Sequence, residues 1–192
     1  MSVVRVTEVL DYFKEPWYAD WLCKVGKREA NRIGREAMKV GTRVDEIIKA
    51  DPFMGVEKIG IKPKEQEVMS CVTAYSKWLE VYKPKSITSG TRLFATIDGI
   101  DVTGEPDLFV DDVLMDIKCA SKISLKYWIQ VNMYRFLQGN NPGKVAILRL
   151  DKKIGSYEYV VKDYDPKLVD VWFGMMRAMV YLKGEENDGD EL

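Results

Sequence analysis

Gly104-Glu105-Pro106-Asp107-Leu108-Phe109-Val110-Asp111-Asp112-Val113-Leu114-Met115-Asp116-Ile117-Lys118 is the stretch whose reading decides the fold. Val113 to Ile117 is apolar and β-prone except for Asp116. Asp111-Asp112 reads as a two-residue hairpin turn, in place of the favoured Asn-Gly or Asp-Gly. In that register paired residue numbers sum to 223, which sets Asp107 opposite Asp116 and Glu105 opposite Lys118. Residues two apart share a face of a strand, so all four side chains project together, with opposed Cβ atoms about 5 Å apart. Two carboxylates that close repel each other unless a proton or a cation lies between them, and a hard divalent ion with oxygen ligands is the natural occupant. Each residue also has an ordinary reading: Asp107 as turn chemistry after Pro106, Lys118 as the cross-strand partner of Glu105. The combination is harder to dismiss. Asp116 and Lys118 flank Ile117 in an otherwise apolar strand, where isolated charges are costly unless paired or bound to metal.

Downstream, a helix is predicted from Ser121 to Leu137, with Ile129, Met133, Phe136 and Leu137 as its apolar arc. Lys126, Gln130 and Tyr134 run along the edge of that arc at i, i+4 and i+8, where a side chain can reach a cleft or simply snorkel to solvent. Upstream, Asp98-Gly99 is a hairpin turn between strands Ser86 to Ile97 and Ile100 to Val110, so three antiparallel strands precede the helix. Lys144 to Leu150 and Tyr157 to Val161 read as two more strands, and Pro166 to Leu182 as a final amphipathic helix. The N-terminal third predicts helices over roughly Pro16 to Val25, Arg28 to Lys39 and Val44 to Ala50, with Gly41-Thr42 separating the last two. A loop from Asp51-Pro52 to Lys62-Pro63 then leads to a helix from Lys64 to Tyr82, stopped by Lys83-Pro84. Thr42-x-x-Asp45 is close to a capping box, so Asp45 has a structural reading as a helix cap.

Gly-x-Pro-Asp ending at Asp107, a short gap, then Asp116-Ile117-Lys118 resembles the PD-(D/E)XK nuclease signature. Gln130-Val131-Asn132-Met133-Tyr134 is similar to the Gln-x-x-x-Tyr helix that follows this motif in RecB-like nucleases. Val6 to Leu10, Trp21 to Gly26 and Gly41 to Ile48 resemble the opening helices of the phage and mitochondrial exonucleases of that subgroup, so the resemblance covers residues 1 to about 150. It implies an α/β fold with a restriction-endonuclease-like core, a mixed central sheet flanked by helices, and an N-terminal helical region. It further implies Mg²⁺ or Mn²⁺ held by Asp107, Asp116 and the carbonyl of Ile117. Asp45 would contribute from the helix side, at the place where those relatives carry a histidine. Lys118 would orient or deprotonate the attacking water, making Asp107, Asp116 and Lys118 the catalytic residues, and Lys126, Gln130 and Tyr134 would hold the strand. The chain departs from the pattern twice: it has no histidine at all, and Ile87 to Arg92 offers no acid where many relatives carry a glutamate. A carboxylate at position 45 is a harder ligand than imidazole and suits Mg²⁺ or Mn²⁺ at least as well.

A length of 192 residues with 46% apolar composition predicts one compact domain over residues 1–184. Within it, 1–83 is a helical region, 84–164 the catalytic sheet and helix, and 165–184 a C-terminal helix; 185–192 forms a disordered acidic tail. Cys23, Cys71 and Cys119 are too few and too widely spaced for a disulfide framework, and no segment reads as a signal peptide or membrane span. Those features predict a soluble, cytoplasmic protein without a membrane partner. Net charge is -1, but five acids lie in the tail, leaving 29 basic against 25 acidic residues before it. Lys24, Lys27, Arg28, Arg32, Arg35, Lys39 and Arg43 face only Glu29 and Glu36. This basic helix either supplies phosphate contacts, with Arg28, Arg32 and Arg35 foremost, or is a solvated face. The expected activity is therefore a metal-dependent DNA nuclease. By resemblance it is an exonuclease on single-stranded or end-containing DNA in replication, recombination or repair. The alternative is a non-catalytic nucleic-acid-binding module derived from one.

Overall fold

A computed structural model describes residues 3–53, 65–139 and 142–189. Most of the predicted loop after Pro52 and the Lys64 helix start lie outside those residues. The chain runs β1 (Val4–Arg5), α1 (Val6–Tyr12), α2 (Trp17–Val25), α3 (Lys27–Ala50) and α4 (Gln66–Tyr82). It continues with β2 (Ile87–Ser89), β3 (Leu93–Ile97), β4 (Ile100–Gly104), β5 (Leu108–Val110) and β6 (Val113–Cys119). Last come α5 (Leu125–Leu137), β7 (Lys144–Leu150), β8 (Tyr157–Asp163) and α6 (Pro166–Gly189). Among the described residues no helix is long and apolar enough to cross a membrane.

The main sheet has the order β2-β5-β6-β7-β8 and is mixed, because β6 and β7 pair in parallel while the other pairs are antiparallel. α5 makes the crossover between β6 and β7. A strand buried on both faces must be apolar throughout, which is why β6 and β7 read as near-continuous hydrophobic runs. On one face Val110, Val113, Met115, Ala146, Leu148 and Leu150 pack against Val44, Ile47 and Ile48 of α3 and against α4. On the other, Leu114, Val145 and Ile147 pack against α1, α5 and α6.

The β5–β6 hairpin has the predicted register, with Leu108, Phe109 and Val110 facing Met115, Leu114 and Val113. Its turn residues Asp111 and Asp112 both have positive φ, 47° and 69°, the conformation for which Asn-Gly is preferred. The Asp111 carboxylate offsets that strain by accepting the backbone N–H groups of Lys85 and Ser86 at 3.0 and 2.9 Å.

Upstream the predicted pair of long strands is one hairpin that bends in the middle. The turn at Asp98-Gly99 has φ of 53° and 76°. Paired numbers sum to 197 both in β3–β4 and in β2–β5, so the register runs through the bend. Each predicted strand is nevertheless split in two, and β3 and β4 leave the main sheet to form a second one with β1. The break lies where Gly90 meets Pro106. A Cβ on Gly90 would stand 1.9 Å from the Pro106 carbonyl oxygen, and Pro106 has no N–H to give the ladder.

Three other expectations change. The predicted helices Arg28 to Lys39 and Val44 to Ala50 are a single helix, α3, which passes through Gly41-Thr42. A helical glycine costs about 1 kcal/mol relative to alanine, less than is gained by burying Val44, Ile47 and Ile48. Asp45 is thus in a helix interior and cannot be an N-cap. α5 begins at Leu125 rather than Ser121, with Ser124 as its N-cap residue. α6 continues to Gly189, so the backbone of 185–189 is helical where a disordered acidic end was predicted.

Candidate active site

The bend that separates the two sheets opens a gap at the end of β5, and the signature residues gather around it. Asp107 stands just outside the β5–β6 ladder, and its Oδ2 accepts the Ile117 N–H at 2.7 Å. Asp116 is 1% exposed in the middle of β6, and its Oδ1 accepts Nε2 of Gln130 at 3.1 Å. The same Gln130 nitrogen donates to the Tyr134 hydroxyl at 2.8 Å. A Cβ on Gly104 would lie 2.5 Å from Cε1 of Tyr134, so the tyrosine ring needs that glycine to reach its place. Lys118 sets its ammonium 2.6 Å from Asp116 Oδ2 and 5.2 Å from the centre of the Tyr127 ring. The predicted Glu105–Lys118 pair is absent, because Glu105 precedes the bend and the ladder does not reach it. Glu105 instead meets Lys49 at 3.7 Å and Arg92 at 3.5 Å.

α3 brings in the remaining charges. Lys49 Nζ lies 3.1 Å from Asp45 Oδ2, one turn back on the same helix, and 4.0 Å from Asp107 Oδ1. Lys49 and Glu105 were not among the predicted site residues. Once α3 is continuous the i, i+4 spacing of Asp45 and Lys49 is a signal for the lysine, whereas Glu105 is placed only by the bend.

The electrostatics are those of crowded acids. Burial, then the neighbouring Asp116, pushes the Asp107 carboxyl up to about 7, although a fifth of its side chain remains open to solvent. Asp116 is raised as well, with burial outweighing the lysine beside it. Burial works against both ammonium groups, but the carboxylates around them win: Lys118 and Lys49 are both held above the ordinary lysine value. Lys118 is thereby held in its protonated form in this arrangement. Burial, aided by Asp116, also raises the Tyr134 phenol, which stays neutral.

Other predicted contacts are placed elsewhere. Lys126 donates to the carbonyl of Leu10 at 2.6 Å and to that of Phe13, so it closes the C-terminal end of α1 and is not free for a phosphate. Arg32 is held between Glu29 and Glu36 at 2.6 and 2.7 Å, which removes most of its charge from any phosphate path. Arg28 and Arg35 are exposed on α3. Seven residues apart, they share a stripe on the helix that ends in Asp45 and Lys49. A cavity of about 400 Å³ adjoins the site, lined by Arg5, Thr7, Arg92, Thr103, Glu105 and Tyr134 among others.

By sequence the chain matches no family model and no curated protein. By structure it is similar to the alkaline exonuclease of Laribacter hongkongensis, at 16% identity, over 98% of this chain and 91% of that one, with a TM-score of 0.50. A second crystal structure of that exonuclease, in complex with dAMP, matches over 95% of this chain and 88% of that one, at 16% identity and a TM-score of 0.51. The chain shares the fold of that alkaline exonuclease.

Within this fold the donor set suits a hard divalent cation. Asp107 and Asp116 present carboxylate oxygens, and Asp116 Oδ2 is buried without a directed hydrogen bond, with the Lys118 ammonium 2.6 Å away. Two neighbouring acids with raised pKa values are what a divalent charge would return to the ionised state. Among the described residues no three Asp, Glu, Cys or His side chains converge closely enough to ligate one ion as they stand.

Proposed function

We propose that the protein is a Mg²⁺- or Mn²⁺-dependent deoxyribonuclease that hydrolyses phosphodiester bonds. Its substrate would be single-stranded or end-containing DNA, in replication, recombination or repair. The observation that carries this reading is the buried Asp116 carboxylate held between Lys118 and the Gln130–Tyr134 pair, with Asp107 tied to the same strand through the Ile117 amide. Asp107, Asp116 and the Ile117 carbonyl would hold the ion, with Asp45 near the same acids on α3. Bound there, the metal supplies Lewis acidity and lowers the pKa of the attacking water. Lys118, an ammonium at neutral pH, orients that water and offsets negative charge building on the phosphate. Gln130 fixes the Asp116 carboxylate, and Tyr134, with its neutral hydroxyl, donates to the strand beside the scissile bond. Free-end specificity is supported by the cavity next to Tyr134. There Arg5 and Arg92 line the space with two guanidinium groups suited to a terminal phosphate. The related exonuclease crystallised with dAMP is consistent with a nucleotide-sized site.

The test is incubation with Mg²⁺ or Mn²⁺ and end-labelled linear, circular and single-stranded DNA, with Asp116→Ala as control. Metal-dependent cleavage that requires an end and is lost in the variant is the expected result. DNA binding without cleavage under every metal condition would make the chain a binding module instead.

A further inference from the structure

Four acids surround the gap, and two lysines divide them. Lys118 lies 2.6 Å from Asp116 and also acts on the charge of Asp107, whereas Lys49 lies among Asp45, Glu105 and Asp107 at 3.1, 3.7 and 4.0 Å. These three acceptors come from different parts of the fold: one from α3, one from the bend, one from the start of β5. Glu105 and Asp107 are joined through Pro106, and the Lys49 ammonium links both to Asp45 on α3. The Lys49 side chain is 27% exposed, so the contact is partly withdrawn from water.

We infer that Lys49 is a built-in second cation: its ammonium takes the position among Asp45, Glu105 and Asp107 that a second divalent ion would otherwise fill, so the chain binds a single ion at Asp107 and Asp116. The charge count supports this, because four carboxylates are neutralised by two ammonium groups and one divalent ion. Arg92 adds a further positive charge at Glu105, but it is two-thirds exposed and screened by solvent. The absence of three converging acids among the described residues follows from the same arrangement, since an ammonium spaces its acceptors more widely than a metal does. Without Lys49 the three carboxylates would form an oxygen-only, uncompensated cluster, which is the chemistry that hard divalent ions select. Lys49 is thus a positioning residue that sets the number of ions and supplies a fixed positive charge beside Asp107. The inference rests on the metal-dependent reading above.

The test counts bound Mn²⁺ per chain by equilibrium dialysis of the full chain, without nucleic acid, for wild type, Lys49→Ala, Lys49→Arg and Lys49→Ala combined with Glu105→Gln. One ion is expected for wild type and for Lys49→Arg, two for Lys49→Ala, and one again when Glu105 is also neutralised. Lys49→Gln replaces Lys49→Ala, with the same expectation, should the alanine variant fail to fold. Two ions on wild type, or one on both Lys49→Ala and Lys49→Gln, would overturn the inference and leave the proposed nuclease standing. No Mn²⁺ on wild type would remove both.

Discussion

The Asp107 carboxylate accepts the Ile117 amide proton at 2.7 Å, so a side chain completes the pairing that the β5–β6 ladder abandons at the bend. That bond turns one Asp107 oxygen toward the strand and leaves the other facing Lys49. It also brings the charge of Asp107 close to the Asp116 carboxylate on the same hairpin.

Asp107→Asn keeps an acceptor for the Ile117 amide and removes the charge. In the metal-free protein it should raise the melting temperature by about 2–4 °C for each kcal/mol of repulsion relieved, while cleavage falls by about a hundredfold or more. Asp116→Ala and Lys118→Ala should also abolish cleavage with the fold retained. Circular dichroism melts in EDTA and a nuclease assay at saturating Mn²⁺ check this, and wild-type turnover in any of the three places the active site elsewhere.

Raised acid pKa values carry a sign for stability. The folded protein holds protons on Asp107 and Asp116 that the unfolded chain releases near pH 4, so their contribution is full below that pH. It is lost as pH climbs through the folded Asp107 value of about 7. Urea midpoints in EDTA, compared between wild type and Asp107→Asn, should therefore diverge in favour of the variant from pH 5 to pH 8. Saturating Mn²⁺ should reverse the order. A difference that does not change with pH would show the two acids to be unstrained.

Gly104→Ala forces a Cβ to within 2.5 Å of the Tyr134 ring. The clash should cost about 1–3 kcal/mol and displace the Tyr134–Gln130 pair, lowering cleavage beyond what the stability loss explains. Tyr134→Phe avoids the clash and removes only the hydroxyl, so it should melt near wild type and cleave more slowly. Melting curves and cleavage rates for the two variants separate ring placement from hydroxyl chemistry.

Lys126 and the α3 arginines should respond to different probes. Lys126→Met removes two charge-assisted bonds to the end of α1, costing about 1.5–3 kcal/mol for each while leaving the salt dependence of DNA binding unchanged. Arg28→Glu with Arg35→Glu should weaken all sequences alike and reduce the salt slope on a single strand by about 0.7 for each phosphate no longer neutralised. Adding Arg32→Glu should change little further. An unaltered slope in the double reversal makes the stripe a solvated face.

Asp45→Asn, in a helix interior, has no cap to lose. It should melt within a few degrees of wild type yet need about tenfold more metal for half-maximal cleavage. Metal titrations of the cleavage rate decide it, and normal cleavage by Asp45→Asn at low Mg²⁺ removes Asp45 from the metal's surroundings.

Where local pattern and tertiary structure agree, the sequence alone was enough. The two-residue turn signals at Asp111-Asp112 and Asp98-Gly99 determined both hairpin registers, because such a turn fixes which residues of the two strands face each other. The i, i+4 spacing of Gln130 and Tyr134 determined that both reach one edge of α5, and with them the site's central acid, Asp116, was legible. The rest depended on contacts between distant segments. Gly41 looked like a helix end and is not, because Val44, Ile47 and Ile48 gain more from the core than the glycine costs. Two long strands became four at the bend where Gly90 packs against Pro106, which has no N–H to give a ladder, and that bend sends Glu105 to Lys49 instead of Lys118. Lys126 had the spacing of a site residue, yet the carbonyls at the end of α1 hold it, and only the packing of α1 on α5 decides that. Periodicity determines which face a side chain occupies; which charge it finds there is decided by how the elements are brought together.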